Sequence, residues 1–174
     1  AIALDSGADI ITKPFPLLPV KWGSKPKGFI EAWSEIVTDL MTAYEEPRVS
    51  SVCYDTGSML QKIRGDALLE QVQQRESTRV NLLQVEYGPR NSDLRALHNA
   101  WKADNKNLVI VHHQVPVYEQ VLTPRGIESR QVSGQVTWDG FSEMGRYMDI
   151  ILYTEKISTN GTKVNCGIKI LTCG

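Results

Sequence analysis

Residues 52–61, "VCYDTGSMLQ", decide how the rest of this chain is read. An apolar run stops at an acid, Asp55, and Thr56, Gly57 and Ser58 follow before a segment that reads as helix. A carboxylate in that place suits two chemistries. It can be one of two acids sharing a proton, or a single acid holding a divalent cation at the end of a strand. The neighbouring residues choose between them.

Asp-Thr-Gly-Ser is the short signature of aspartic proteases, which need paired carboxylates because two like charges in contact cannot both ionise. The chain holds no second DTG. The signature also belongs in an all-β setting, and the residues before Asp55 predict otherwise. In "FIEAWSEIVTDLMTAY", Phe29, Ile30, Trp33, Ile36, Val37, Leu40, Met41 and Tyr44 recur at the spacing of one helix face. Pro47 ends that helix at the latest. "RVSSVCYD" then reads as a strand, and the protease reading fails on context. An ordinary turn capped by Asp55 before Thr-Gly is the bland alternative for that residue.

Working outward, "AIALD" predicts a short strand ending at Asp5. Residues 12–28 hold four prolines and two glycines and predict an irregular loop. Residues 58–87 predict helix interrupted at Gly65. "YGPRNSD" breaks that pattern, and Asn91 or Ser92 can cap a further helix in which Leu94, Leu97, His98 and Trp101 share a face. "NLVIVHH" predicts a strand covered on both faces, as in a parallel sheet. "VPVYEQVLTPRGIESRQVSGQVTW" predicts a hairpin or long loop turning at "TPRG", and "DGFSEMGRY" a short helix. "MDIILYTEK" and "KVNCGIKILTC" predict strands joined by "STNGT", whose Asn-Gly is a strong hairpin signal. The order predicts an α/β fold over residues 1–174 as a single domain, with a mainly parallel central sheet extended by antiparallel C-terminal strands.

With 41% hydrophobic and 22% charged residues, the composition is that of an ordinary globular protein. The formal net charge of −1 gives no global field for nucleic acid, so any such contact needs a local patch. No run approaches the length that spans a bilayer, and no signal peptide is visible, so no membrane partner and a cytoplasmic location are expected. Cys53 falls in an apolar run and reads as a small buried hydrophobe. Cys166 and Cys173 fall on opposite faces of one predicted strand, which argues against a disulfide. No CxxC spacing points to zinc.

A lone acid after an apolar strand fits P-loop ATPases, in which it holds Mg²⁺ while nearby hydroxyls support it and a neighbouring strand carries a polar γ-phosphate sensor. "SVCYDTGSML", a helix, "NLVIVHH" and "GFSEMGRYMDIILYTEK" are similar in order and spacing to phage-type RecA-like ATPases. That group includes the single-strand-annealing recombination ATPases and related AAA-type phage nucleotide-binding proteins. The resemblance covers residues 1–10 and 48–172. It implies a RecA-like P-loop NTPase core using ATP and Mg²⁺ in DNA recombination or replication, with Asp55 as the Walker B acid and metal ligand. It further implies His112 or His113 as the sensor, Thr56, Ser58 and Asp5 beside the nucleotide, and Arg146 as an arginine finger across a subunit boundary. Single-stranded DNA and a homo-oligomer are the partners it implies.

The chain departs from that pattern in two ways. No window matches GxxxxGK[ST], whose amides and lysine supply most phosphate binding, so this chain alone is expected to be inactive. The apolar start at "AIALDSGADI" suggests that the missing loop lies upstream. Near Asp5 and Asp9 there is no glutamate to serve as catalytic base. Bland readings stand beside these roles: His98 and the four tryptophans as packing, Arg125 and Arg130 as a solvated turn rather than a single-strand contact, Arg146 as a surface residue. His112 and His113, on opposite faces, do not suit one shared metal. A non-catalytic α/β binding or assembly module, using the loop around 117–135, is the alternative function.

Overall fold

The computed structural model of the protein describes residues 13–15, 18, 25–103, 106–124, 126–140, 142–160 and 163–173. The chain divides into two compact units, Ala1–Gly140 and Phe141–Gly174. The predicted strand at residues 1–5 lies outside the described residues, and with it Asp5 and Asp9.

In the first unit, helix α1 (Phe29–Glu45) buries Phe29, Ala32 and Ile36, the face its apolar periodicity marks. Its start is capped from another helix. The Glu70 carboxylate accepts from the Gly28, Phe29 and Ile30 amides at 2.8, 2.8 and 3.1 Å. A negative group there satisfies otherwise orphaned donors and opposes the positive end of the helix dipole. At the other end Lys106 donates to the Tyr44 and Glu46 carbonyls, the complementary charge for that terminus.

Strand β1 (Ser51–Asp55) pairs in parallel with β2 (Asn107–Val111), with Asp55 opposite Val111. The two helices between them are the crossover that a parallel pair requires. Helix α2 (Gly57–Arg75) runs unbroken through Gly65, because Leu60, Ile63 and Ala67 are buried along its length and packing outweighs the cost of one glycine. The predicted interruption is therefore absent. Helix α3 begins earlier than predicted, at Tyr87, and ends at Ala103. Pro89 falls in its first turn, where a missing N–H costs no intrahelical bond. Leu94, Leu97, His98 and Trp101 are buried on one face, as their spacing predicts.

Arg64 joins the three helices. It is buried, its Nε and Nη2 each lie 2.6 Å from Asp93 Oδ2 on α3, and its guanidinium stands 5.4 Å over the Trp33 ring of α1. The connection before α3 is ordered by Arg79, whose Nη2 donates to both Glu86 carboxylate oxygens at 2.7 Å.

Strands β3 (Gln114–Thr123) and β4 (Gly126–Trp138) form the predicted hairpin, closing between Thr123 and Gly126. The second unit holds a 3₁₀ turn at Ser142–Arg146 and a second hairpin, β5 (Ile150–Asn160) with β6 (Lys163–Cys173).

The α/β class holds, but the described sheets differ from the expected single sheet. Each has two strands, and the C-terminal strands pair with each other rather than extending β1–β2. Hairpin strands find their hydrogen-bond partners locally, so apolar alternation alone does not join them to a larger sheet. Nor is β2 covered on both faces among the described residues: Val109 is half exposed. Cys53 is exposed on the same side of β1, not buried as expected, and Cys166 is also a free, exposed thiol.

Candidate functional site

The carboxyl ends of two adjacent parallel strands are where open α/β sheets bind ligands. Here that edge is formed by Asp55 at the end of β1, the start of α2, and His112 just past the end of β2. Asp55 is exposed, and while its backbone pairs in the ladder opposite Val111, its carboxylate has no hydrogen bond or ion pair with any described residue. The Asp55–Thr56 peptide is cis. Thr56 is the N-cap of α2, and its Oγ1 accepts from the Met59 amide at 3.1 Å, so its hydroxyl serves the helix.

Ser58 and His112 are brought together. Ser58 Oγ donates to the Asp139 carbonyl at 2.6 Å and lies 3.3 Å from His112 Nδ1. The His113 amide approaches the same hydroxyl at 3.4 Å. His112 Nδ1 lies 3.0 Å from the Asp139 carbonyl, which can only accept, so this contact favours the tautomer with the proton on Nδ1 and Nε2 as the acceptor. The segment Asp139–Gly140 is itself tied to the end of β2, since the Asp139 amide donates to the His113 carbonyl at 2.7 Å.

Two glycines let this edge close around the imidazole. A Cβ on Gly57 would clash with Ile110 and His112, and one on Gly140 would lie 2.9 Å from His112 Cε1. Burial pushes the His112 imidazole below its ordinary range, with the Asp139 hydrogen bond opposing that shift. Beneath it, burial takes His98 down to about 4, and the neighbouring His112 adds to the effect. Burial also raises the Tyr54 phenol; the Trp101 indole lies near enough to temper that rise without completing a hydrogen bond.

The remaining predicted residues fall elsewhere. Arg130 stands opposite Glu119 in the β3–β4 ladder. Arg146 ends the 3₁₀ turn of the second unit and is exposed. Arg125 and Asp5 lie outside the described residues. His113 is exposed, and no three His, Cys, Asp or Glu side chains gather as a metal site among the described residues. An anion site at the start of α1 is closed by Glu70. Lys25 and Lys27 line a cleft there, but the carboxylate already occupies the amides. Sequence reasoning missed Gly57, Gly140 and the Asp139 carbonyl. A glycine in the first turn of a helix was the one signal that close approach was required there.

Comparison with protein-family models, curated proteins and solved structures finds no match to this chain. No described helix is long and apolar enough to cross a membrane.

Proposed function

We propose that this edge is the cation-holding half of an ATP site in a RecA-like ATPase of phage type, acting in DNA recombination or replication in the cytoplasm. The observation that carries the reading is the parallel register of β1 and β2, which sets an unpaired acid beside the strand carrying His112. Mg²⁺ is commonly held by one or two carboxylates together with substrate phosphates and water, so a lone Asp55 suits it without a fuller ligand cluster. When bound, Mg²⁺ would neutralise charge on the ATP phosphates. Asp55 would hold it, Ser58 would keep His112 against Asp139, and His113, exposed just past the end of β2, would sense the nucleotide.

The chain contains no GxxxxGK[ST] window, so most of the phosphate cradle is not among these residues. Weak binding of metal–ATP and no appreciable turnover are expected of the 174 residues alone. The test is paramagnetic broadening by Mn²⁺ and ATP at residues 55–58 and its loss in Asp55→Asn. Robust Mg²⁺-dependent hydrolysis by this chain would contradict the reading.

A second reading, a binding or assembly module, is favoured by the β3–β4 hairpin. Its ladder puts Tyr118, Gln120 and Leu122 opposite Gln131, Ser129 and Ile127, an uncharged face with Leu122 82% exposed. That face suits a protein partner or a second copy better than the phosphates of single-stranded DNA. Concentration-dependent mass in solution, lost in Leu122→Lys, distinguishes this reading.

A further inference from the structure

Four polar atoms in the first unit are buried without partners around one place: Tyr54 Oη, both ring nitrogens of His98, and His112 Nε2. Tyr54 is 2% exposed and His98 3%, so bulk water does not satisfy them. Leaving such groups unpaired is costly, and a native core rarely keeps several together.

Their placement is specific. Tyr54 is in register with Ile110, and a Cβ at Gly57 would meet both Ile110 and His112, which puts His112 on the Ile110 side of the sheet. The ring of His98, from α3, lies 6.2 Å from that of Tyr54. Their chemistry is complementary as well. In the tautomer that the Asp139 contact favours, His112 Nε2 is an acceptor. A neutral His98 offers one donor and one acceptor, and Tyr54 offers an O–H. Each unpaired donor has an unpaired acceptor to match. None of these atoms reaches a protein partner directly among the described residues, so the matching falls to small bridging molecules, and buried water with two to four polar partners is the usual one.

We propose that Tyr54, His98 and His112 form one buried hydrogen-bonded chain, closed by water, that fixes His112 in its Nδ1–H tautomer and positions it at the edge of the sheet. His98 and Tyr54 are positioning residues, since neither reaches the edge itself. The charged or titratable groups around His112 are His98 on α3, His113 after β2, and Asp139 in the following segment. The chain stands on its own geometry; only its value to the nucleotide site rests on the function proposed above.

The test is the tautomer of His112, read from long-range ¹H–¹⁵N couplings of its ring in the full chain. The wild type is expected to show Nδ1–H alone. Tyr54→Phe, which removes one oxygen, and His98→Phe are expected to give mixed tautomers. His98→Gln, which keeps a donor and an acceptor, is expected to restore the single form. Asp55→Asn should leave the tautomer untouched, so failure of the nucleotide reading is distinguishable from failure of this one. An Nε2–H tautomer in the wild type, or an unchanged tautomer in Tyr54→Phe, would overturn the proposal.

Discussion

The imidazole of His112 rests on the backbone of Gly57, so closely that a Cβ there would lie 2.7 Å from its Cε1 and 2.8 Å from its Nε2. Any side chain at residue 57 must displace His112 or shift the start of α2 away from β2. Gly57→Ala should therefore destabilise the fold by about 1–3 kcal/mol, the usual cost of overpacking. Urea denaturation measures it, and an unchanged midpoint would show that the imidazole is free to move aside.

Arg64 is the tie among α1, α2 and α3. Removing it leaves Asp93 without its partner and Trp33 without its covering cation. Asp93 is partly exposed, so water offsets some of the loss. Arg64→Ala should cost about 2–4 kcal/mol, and Arg64→Met, which keeps the packing volume, distinctly less. Equal losses in the two variants would assign the effect to the lost charge and hydrogen bonds, with no contribution from packing volume.

Glu70 caps a helix from a distance of some forty residues in sequence. Glu70→Ala should destabilise by about 1–2 kcal/mol, more than a typical exposed cap because three amides lose a charged acceptor. Amide hydrogen exchange at Phe29 and Ile30 should rise in the same variant, and unchanged protection there would exclude the capping role.

These contacts separate what could be read from the sequence and what could not. The amphipathic face of α1, the strand ending at Asp55, and both hairpins follow from periodicity and turn residues, which are local signals; the pairing of that strand with the one before His112 was expected only from the RecA-like resemblance. The path of α2 through Gly65 does not, because buried neighbours at Leu60, Ile63 and Ala67 override the local penalty. The Glu70 cap and the Arg64 tie join residues far apart in sequence, and no local pattern marks either. At the site, Asp55, Ser58 and His112 were legible as polar residues at element ends. Their sorting was not: Ser58 with His112 around the Asp139 carbonyl, and Asp55 left open, depend on how the segment after β4 returns to β2.

Acid should loosen the fold through His98. The unfolded chain binds that proton near the ordinary 6.5, while the folded protein binds it only near 4. Stability is therefore complete above the higher value, falls as pH drops between the two, and levels off below the lower. The loss is about 3 kcal/mol, and His112, lowered in the same direction, adds to it. Urea midpoints measured from about pH 7 to about pH 4 should fall in the wild type and fall less in His98→Leu. An identical slope in the two proteins would remove His98 as the cause.

The most direct measurement is the nuclear magnetic resonance spectrum of the ¹⁵N-labelled chain with Mn²⁺ and ATP present together. The proposed function predicts broadening centred on the amides of residues 55–58 and on His112, absent with Mn²⁺ and ATP in Asp55→Asn. Broadening that persists in Asp55→Asn, or that falls elsewhere and spares the end of β1, would contradict Asp55 as the acid that holds the metal.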